Sequence, residues 1–134
     1  MLVGMVLRCF IVDDSPHFLD AAQALLQREG VALVGVASTS EEALRRVEDL
    51  KPDVVLIDVD LGNESGFNLA RRFQSETSLH RSRVILISSY AEEDLRDLIT
   101  DAPVAAFLSK SRLSARAIHQ IIGDSGAPNA PRGR

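Results

Sequence analysis

Five stretches of the chain carry dense apolar residues, at 6–12, 31–37, 54–58, 84–88 and 104–109. The third and fourth, Val54 to Ile57 and Val84 to Ile87, are unbroken branched or bulky runs. Runs this short, bounded by polar residues, predict strands, and the unbroken ones predict strands buried on both faces. Between them apolar residues recur at helical spacing: Phe18, Ala22, Leu25 and Leu26; Ala43, Leu44, Val47 and Leu50; Phe67, Ala70 and Phe73; Leu95, Leu98 and Ile99. A closing helix is expected from Leu113 to Ile122. Ser15 before Pro16 marks the first helix start and Gly30 its end. Ser40 is expected to cap the second helix, and Glu92, Glu93 and Asp94 crowd the start of the fourth, where acids complement the helix dipole. No hairpin signal separates successive strands. Five strand–helix alternations predict an α/β fold, a parallel sheet covered by helices on both faces.

The strand ends change the picture from architecture to chemistry. The first strand runs into Asp13 and Asp14, the third ends at Asp58, the fourth at Ser88, and the fifth leads into Lys110. In an open parallel sheet all carboxyl ends share one edge, where ligands bind. Pro52 favours an extended approach to the third strand and Gly62 a turn after it, so Asp58 emerges from the core into that crevice. A lone carboxylate there is costly unless something positive compensates it. Three carboxylates repel one another unless a lysine or a divalent cation lies among them, and few hard oxygen ligands suit Mg²⁺. Lys110 can reach a carboxylate or phosphate oxygen, and Ser88 can donate to phosphate. Singly, each residue reads as a cap or a solvated strand end. Jointly they form a site for placing a phosphoryl group on Asp58.

On these residues the chain resembles the receiver domain of two-component response regulators, from about Leu7 to Ile122. The intervals from Asp14 to Asp58, on to Ser88 and on to Lys110 match that family. The resemblance implies the flavodoxin-like strand order 2-1-3-4-5, with Asp58 as phosphoacceptor. It implies Mg²⁺, with Mn²⁺ as a substitute, bound directly by Asp14 and Asp58, through water by Asp13, and by the backbone carbonyl of Asp60. Ser88 falls on the family's switch hydroxyl, Phe107 on its rotating aromatic, Lys110 on the partner of the acyl phosphate, and Gly66 on its glycine after the phosphoacceptor. Two positions depart from the pattern: Leu61-Gly62 stand where the family often has Met-Pro, and Lys110-Ser111 where it has Lys-Pro. Asp60 and Tyr90 are read as modulating positions, Tyr90 by shielding an acyl phosphate and Asp60 by opposing or orienting water. Both equally read as solvated loop residues.

The implied partners are a sensor histidine kinase or a histidine phosphotransfer protein. Homodimerisation on phosphorylation is a further expectation, and DNA would be reached only through an output domain not present in this chain. No enzymatic activity is expected beyond Mg²⁺-dependent self-phosphorylation and self-dephosphorylation. The competing reading is an aspartyl-phosphate phosphatase of the haloacid dehalogenase type, whose nucleophile and acid/base pair Asp58-Val59-Asp60 imitates. Against it, the pair lies on the third strand, the acidic pair precedes it, and no cap fits in 134 residues. A receiver-like module that is never phosphorylated is the third reading.

Composition adds bounds. The chain is 46% hydrophobic and 25% charged with a net charge of −4, which does not suit a basic nucleic-acid face. One cysteine, Cys9, excludes an internal disulfide and fits a cytoplasmic location; it reads as a buried, inert thiol. No apolar run approaches the ~20 residues of a membrane span, and Met1 to Met5 is too short for a signal peptide. His17, His80 and His119 match no metal-ligand spacing. Residues 1–123 read as the receiver-like domain, and 124–134, rich in Gly, Pro, Ala and Ser, as a flexible tail or linker start.

Overall fold

The computed structural model describes residues 6–125. The strands are β1 (Arg8–Val12), β2 (Ala32–Ala37), β3 (Val54–Asp58), β4 (Val84–Ser88) and β5 (Ala106–Ser109). The helices are α1 (Pro16–Arg28), α2 (Ser40–Leu50), α3 (Gly66–Glu76), α4 (Arg96–Thr100) and α5 (Ala115–Ser125). All five strands pair in parallel in the order 2-1-3-4-5, as expected. A two-residue antiparallel ladder, Asp60–Leu61 against Glu64–Ser65, follows β3 outside this sheet.

Period-two alternation divides the core in two. Phe10, Val12, Val55, Ile57, Val84 and Leu86 face α2 and α3. Cys9, Ile11, Val54, Leu56, Ile85 and Ile87 face α1 and α5. Both sets of neighbours in β3 and β4 are buried, which is why these strands read as unbroken apolar runs. Each fully buried aliphatic side chain contributes about 1.5–3 kcal/mol. Cys9 lies in the α1/α5 layer, where burial pushes its thiol up to about 12, the inert state expected.

Several boundaries differ from the sequence expectation, each for a visible reason. Thr39, not Ser40, caps α2: its Oγ1 accepts Glu42 N–H at 3.3 Å. Ser40 is buried, and its N–H donates to Glu64 Oε1 at 2.8 Å, so a carboxylate from the short ladder completes the helix start. β5 begins at Ala106 because Val104 N–H is taken by Ala102 C=O at 2.9 Å in a three-residue turn. α5 begins at Ala115, since Ser114 Oγ accepts Ala117 N–H at 3.0 Å and Ala115 N–H donates to Glu29 Oε1 at 2.7 Å. Glu92–Leu95 forms a 3₁₀ turn ahead of the short α4; Leu95 and Ile99 pack inward while Leu98 is 50% exposed. α5 runs to Ser125, two residues into the segment read as tail, and the remainder, 126–134, lies outside the described residues.

Lys51 closes α2 in the left-handed region, φ 48°, with its N–H on Val47 C=O at 2.8 Å. A Cβ in that region costs about 1–2 kcal/mol, partly offset in glycine by chain entropy. Lys51→Gly is therefore expected to raise the stability by about 0.5–1 kcal/mol, read as a higher urea midpoint at unchanged slope. An unchanged or lower midpoint would contradict this.

Candidate functional site

The acidic turn after β1 is built by its own side chains. Asp13 N–H donates to Ala37 C=O at 2.9 Å, which holds the residue at the sheet edge with its side chain buried. Asp13 Oδ1 accepts Ser15 N–H at 2.8 Å, and Ser15 Oγ accepts Phe18 N–H at 3.2 Å. The Ser-Pro helix start thus also locks the carboxylate in place, while Asp14 remains exposed. Asp13, Asp14 and Asp58 each offer a carboxylate oxygen, and these oxygens lie within 4.8 Å of one another.

Lys110 Nζ stands 3.0 Å from Asp58 Oδ2, to which it donates a hydrogen bond, and 2.8 Å from Asp13 Oδ2. The second approach is a charge contact whose angle falls short of a hydrogen bond. Asp13 Oδ2 is consequently buried with charge compensation but no donated hydrogen. Burial pushes the Asp58 carboxyl up to about 6; the Asp60 N–H and Lys110 act against this, and Asp13 reinforces it. For Lys110, burial lowers the pKa, but its contacts with Asp13 and Asp58 outweigh that and hold it above the ordinary lysine value. Three carboxylates against one ammonium leave a negative surplus, and with the orphaned Asp13 Oδ2 they fit a hard divalent cation.

Beyond Asp58 the chain folds back tightly. Asp58 Oδ1 accepts Asp60 N–H at 3.1 Å, and Asp60 Oδ1 accepts Gly62 N–H at 3.0 Å, so the Asp60 carboxylate is engaged with its own loop. Gly62 has φ +77°, and a Cβ there would lie 3.0 Å from Asp14 Oδ2. Gly66 opens α3 with its N–H on Val59 C=O at 2.9 Å. A Cβ on Gly66 would overlap the Asp58 carbonyl oxygen and lie 2.8 Å from Val59 Cα. The glycine therefore permits α3 to start against the backbone of Asp58 itself.

Ser88 ends β4 fully buried, and its Oγ accepts Tyr90 N–H at 2.9 Å. Tyr90 is 54% exposed, its side chain largely in solvent. Phe107, half-buried in β5, packs against the α2/α3 layer rather than at the edge. The structure thus brings Asp13 and Asp58 into contact with Lys110 and sets Asp14 beside them, with Ser88 closing the neighbouring strand. Phe18, read from the sequence only as part of a helix face, also belongs here: its ring centroid lies 4.3 Å from Lys110 Nζ. Its position in the first turn after the acidic pair is the one sequence feature that places it at this edge. Among the described residues no cis peptide occurs, and no helix is long and apolar enough to cross a membrane.

The family model for the response regulator receiver domain matches residues 9–122. The chain is 35% identical over 116 residues to a gliding motility regulatory protein of Myxococcus xanthus, covering 87% of this chain and 15% of that protein. It is 32% identical over 114 residues to a protein-glutamate methylesterase/protein-glutamine glutaminase of Syntrophus aciditrophicus, covering 83% of this chain and 32% of that one. The chain spans less than a third of the length of either curated relative. Among solved structures, the signal receiver domain of a modulated diguanylate cyclase from Desulfovibrio desulfuricans superposes with a TM-score of 0.72. The two are 26% identical, over 90% of this chain and 93% of that one.

Proposed function

The chain belongs to the response regulator receiver domain family, and on that basis we propose that it accepts a phosphoryl group on Asp58 within a two-component pathway. The observation that carries this reading is the clustering of Asp13, Asp14 and Asp58 at the carboxyl edge of the sheet, two of them paired with Lys110. A nucleophilic carboxylate needs a position facing solvent, compensation for its burial, and a cation able to follow charge onto the phosphoryl oxygens. Mg²⁺ or Mn²⁺ would be held by Asp13, Asp14, Asp58 and the Asp60 backbone carbonyl. Bound there, it would neutralise phosphoryl charge.

In the proposed step an Asp58 oxygen attacks the phosphorus of a phosphohistidine, the P–N bond breaks, and the imidazole leaves with its electron pair. Lys110, relieved of one carboxylate charge, pairs with a phosphoryl oxygen. Ser88 retains a hydroxyl hydrogen to donate to another. Turning that hydroxyl inward gives up its bond to Tyr90 N–H and frees the start of the β4–α4 connection. The donor would be a sensor histidine kinase or a histidine phosphotransfer protein. The output would be a homodimer, a partner protein or a DNA-binding domain outside this chain. A cytoplasmic location is part of the proposal. No further activity is assigned to this chain. The phosphatase reading is disfavoured because the Asp60 carboxylate is engaged with Gly62 N–H instead of standing free as an acid/base group.

The test is intact mass after incubation with acetyl phosphate, followed by peptide mapping. One phosphoryl addition at Asp58 is expected with Mg²⁺ and none when EDTA replaces it. Addition at another residue, or labelling indifferent to EDTA, would overturn the reading.

A further inference from the structure

The Lys110 ammonium is enclosed by three partners: Asp58 Oδ2 at 3.0 Å, Asp13 Oδ2 at 2.8 Å, and the face of Phe18 at 4.3 Å from its centroid. The two carboxylates are partners whose pairing with Lys110 the proposed reaction alters. Phosphorylation converts Asp58 into an acyl phosphate, and a divalent cation competes for Asp13. Phe18 is the one partner that neither event alters.

The ring is also well placed to hold its position. Phe18 lies in the first turn of α1, with its N–H on Ser15 Oγ at 3.2 Å, and Ser15 N–H is in turn on Asp13 Oδ1 at 2.8 Å. Its side chain packs against the α1/α5 layer of the core. One turn of chain therefore fixes both the carboxylate and the aromatic face that meet Lys110. The Lys110 side chain is only 18% exposed, which weakens the competition of water for its charge. A cation over a phenyl face is drawn by the ring quadrupole, more strongly where it is desolvated. Without it, the flexible four-carbon stem is restrained only by ion pairs that the reaction alters.

We propose that Phe18 is a positioning residue for Lys110: its ring face keeps the ammonium at the sheet edge, aligned to meet the phosphoryl oxygens during transfer to Asp58. This rests on the proposed phosphoryl acceptance. The ring acts through Lys110 and needs no contact with the phosphoryl group.

The test compares wild type with Phe18→Leu, Phe18→Met and Phe18→Tyr in two measurements. The first is the proton shift of the Lys110 ε-methylene in the metal-free protein, which a ring current moves upfield. The second is the rate of labelling by acetyl phosphate with Mg²⁺. Both non-aromatic variants are expected to lose the shift and to slow labelling by about threefold to tenfold, while Phe18→Tyr restores both. In a Lys110→Met background, where labelling is already slow, Phe18→Leu should change the residual rate by less than about twofold. Wild-type labelling in both non-aromatic variants, a Tyr variant as slow as Leu, or an equal slowing in the Lys110→Met background would overturn the inference. A wild type that takes no label overturns the proposed function and this inference with it. A labelled wild type with insensitive Phe18 variants overturns this inference alone.

Discussion

Replacing Asp58 with Asn should abolish labelling by acetyl phosphate and, in the metal-free protein at neutral pH, make the fold more stable. The first effect removes the proposed nucleophile. The second follows from the carboxylate's situation. Burial raises the Asp58 carboxyl to about 6 from an ordinary value of 3.8, even with Lys110 and the Asp60 N–H favouring its charged form. A raised carboxyl means that the folded chain binds the proton more tightly than the unfolded chain. Between about pH 4 and pH 6 the wild type should therefore lose stability as pH rises, and above about pH 6 this loss is complete. Discounted for solvent screening, the loss is about 1–2 kcal/mol, or about 3–8 °C in Tm. Asn keeps the shape and carries no charge, so it lacks this decline. Mg²⁺ should narrow the gap, because a cation bound to the folded wild type stabilises it by mass action. Thermal melts of both proteins in EDTA from pH 4 to pH 8 check the prediction. An Asn variant that melts below wild type at pH 7, or shows the same decline, would contradict it.

Among the described glycines, Gly66→Ala should be the most damaging substitution. Its Cβ meets main-chain atoms of Asp58 and Val59, not the end of a flexible side chain that can swing away. α3 cannot easily retreat, because Gly66 N–H is bonded to Val59 C=O and Ser65 Oγ holds Phe67 N–H at 3.1 Å and Asn68 N–H at 3.3 Å. Phe67, Leu69, Ala70 and Phe73 are meanwhile buried against the sheet. Relief must come from the β3 exit, which carries the candidate nucleophile. A loss of about 2–4 kcal/mol is expected, together with at least a tenfold slower labelling rate, since misplacement by about 1 Å is enough for that. Urea unfolding and the labelling assay decide it together. A variant within about 1 kcal/mol of wild type that labels normally would show that the backbone yields there more easily than its hydrogen bonds suggest.

The strands were legible because two-sided burial leaves a mark in the chain itself. Val54 to Ile57 and Val84 to Ile87 are buried throughout, so no polar residue interrupts them. The site was legible for a related reason: residues that follow core strands in a parallel sheet arrive at one edge, and few residue types there tolerate one another without compensation. The contacts that finish the elements were not legible. Glu64 on Ser40 N–H, Glu29 on Ala115 N–H and Phe18 on Lys110 join residues far apart in the chain, and no periodicity encodes them. The apolar face expected of α4 is not continuous, because Leu95 belongs to the 3₁₀ turn while Leu98 and Ile99 belong to the helix, and the two differ in residues per turn. Leu98 consequently ends outside the core that Leu95 and Ile99 enter.

The placement of β5 gives the molecule a mechanical asymmetry. This strand is at the sheet's margin, tied along one side only, to β4. Phe107 packs into one core layer and Leu108 into the other, and Lys110 follows immediately after the strand. A pull on the Lys110 ammonium therefore loads a marginal strand of the sheet and is felt in both layers at once. The two strands that deliver the carboxylates, β1 and β3, are each paired on both sides and can stay still. Charge rearrangement at the sheet's carboxyl edge is thereby geared to a strand whose outer side pairs with no other strand among the described residues.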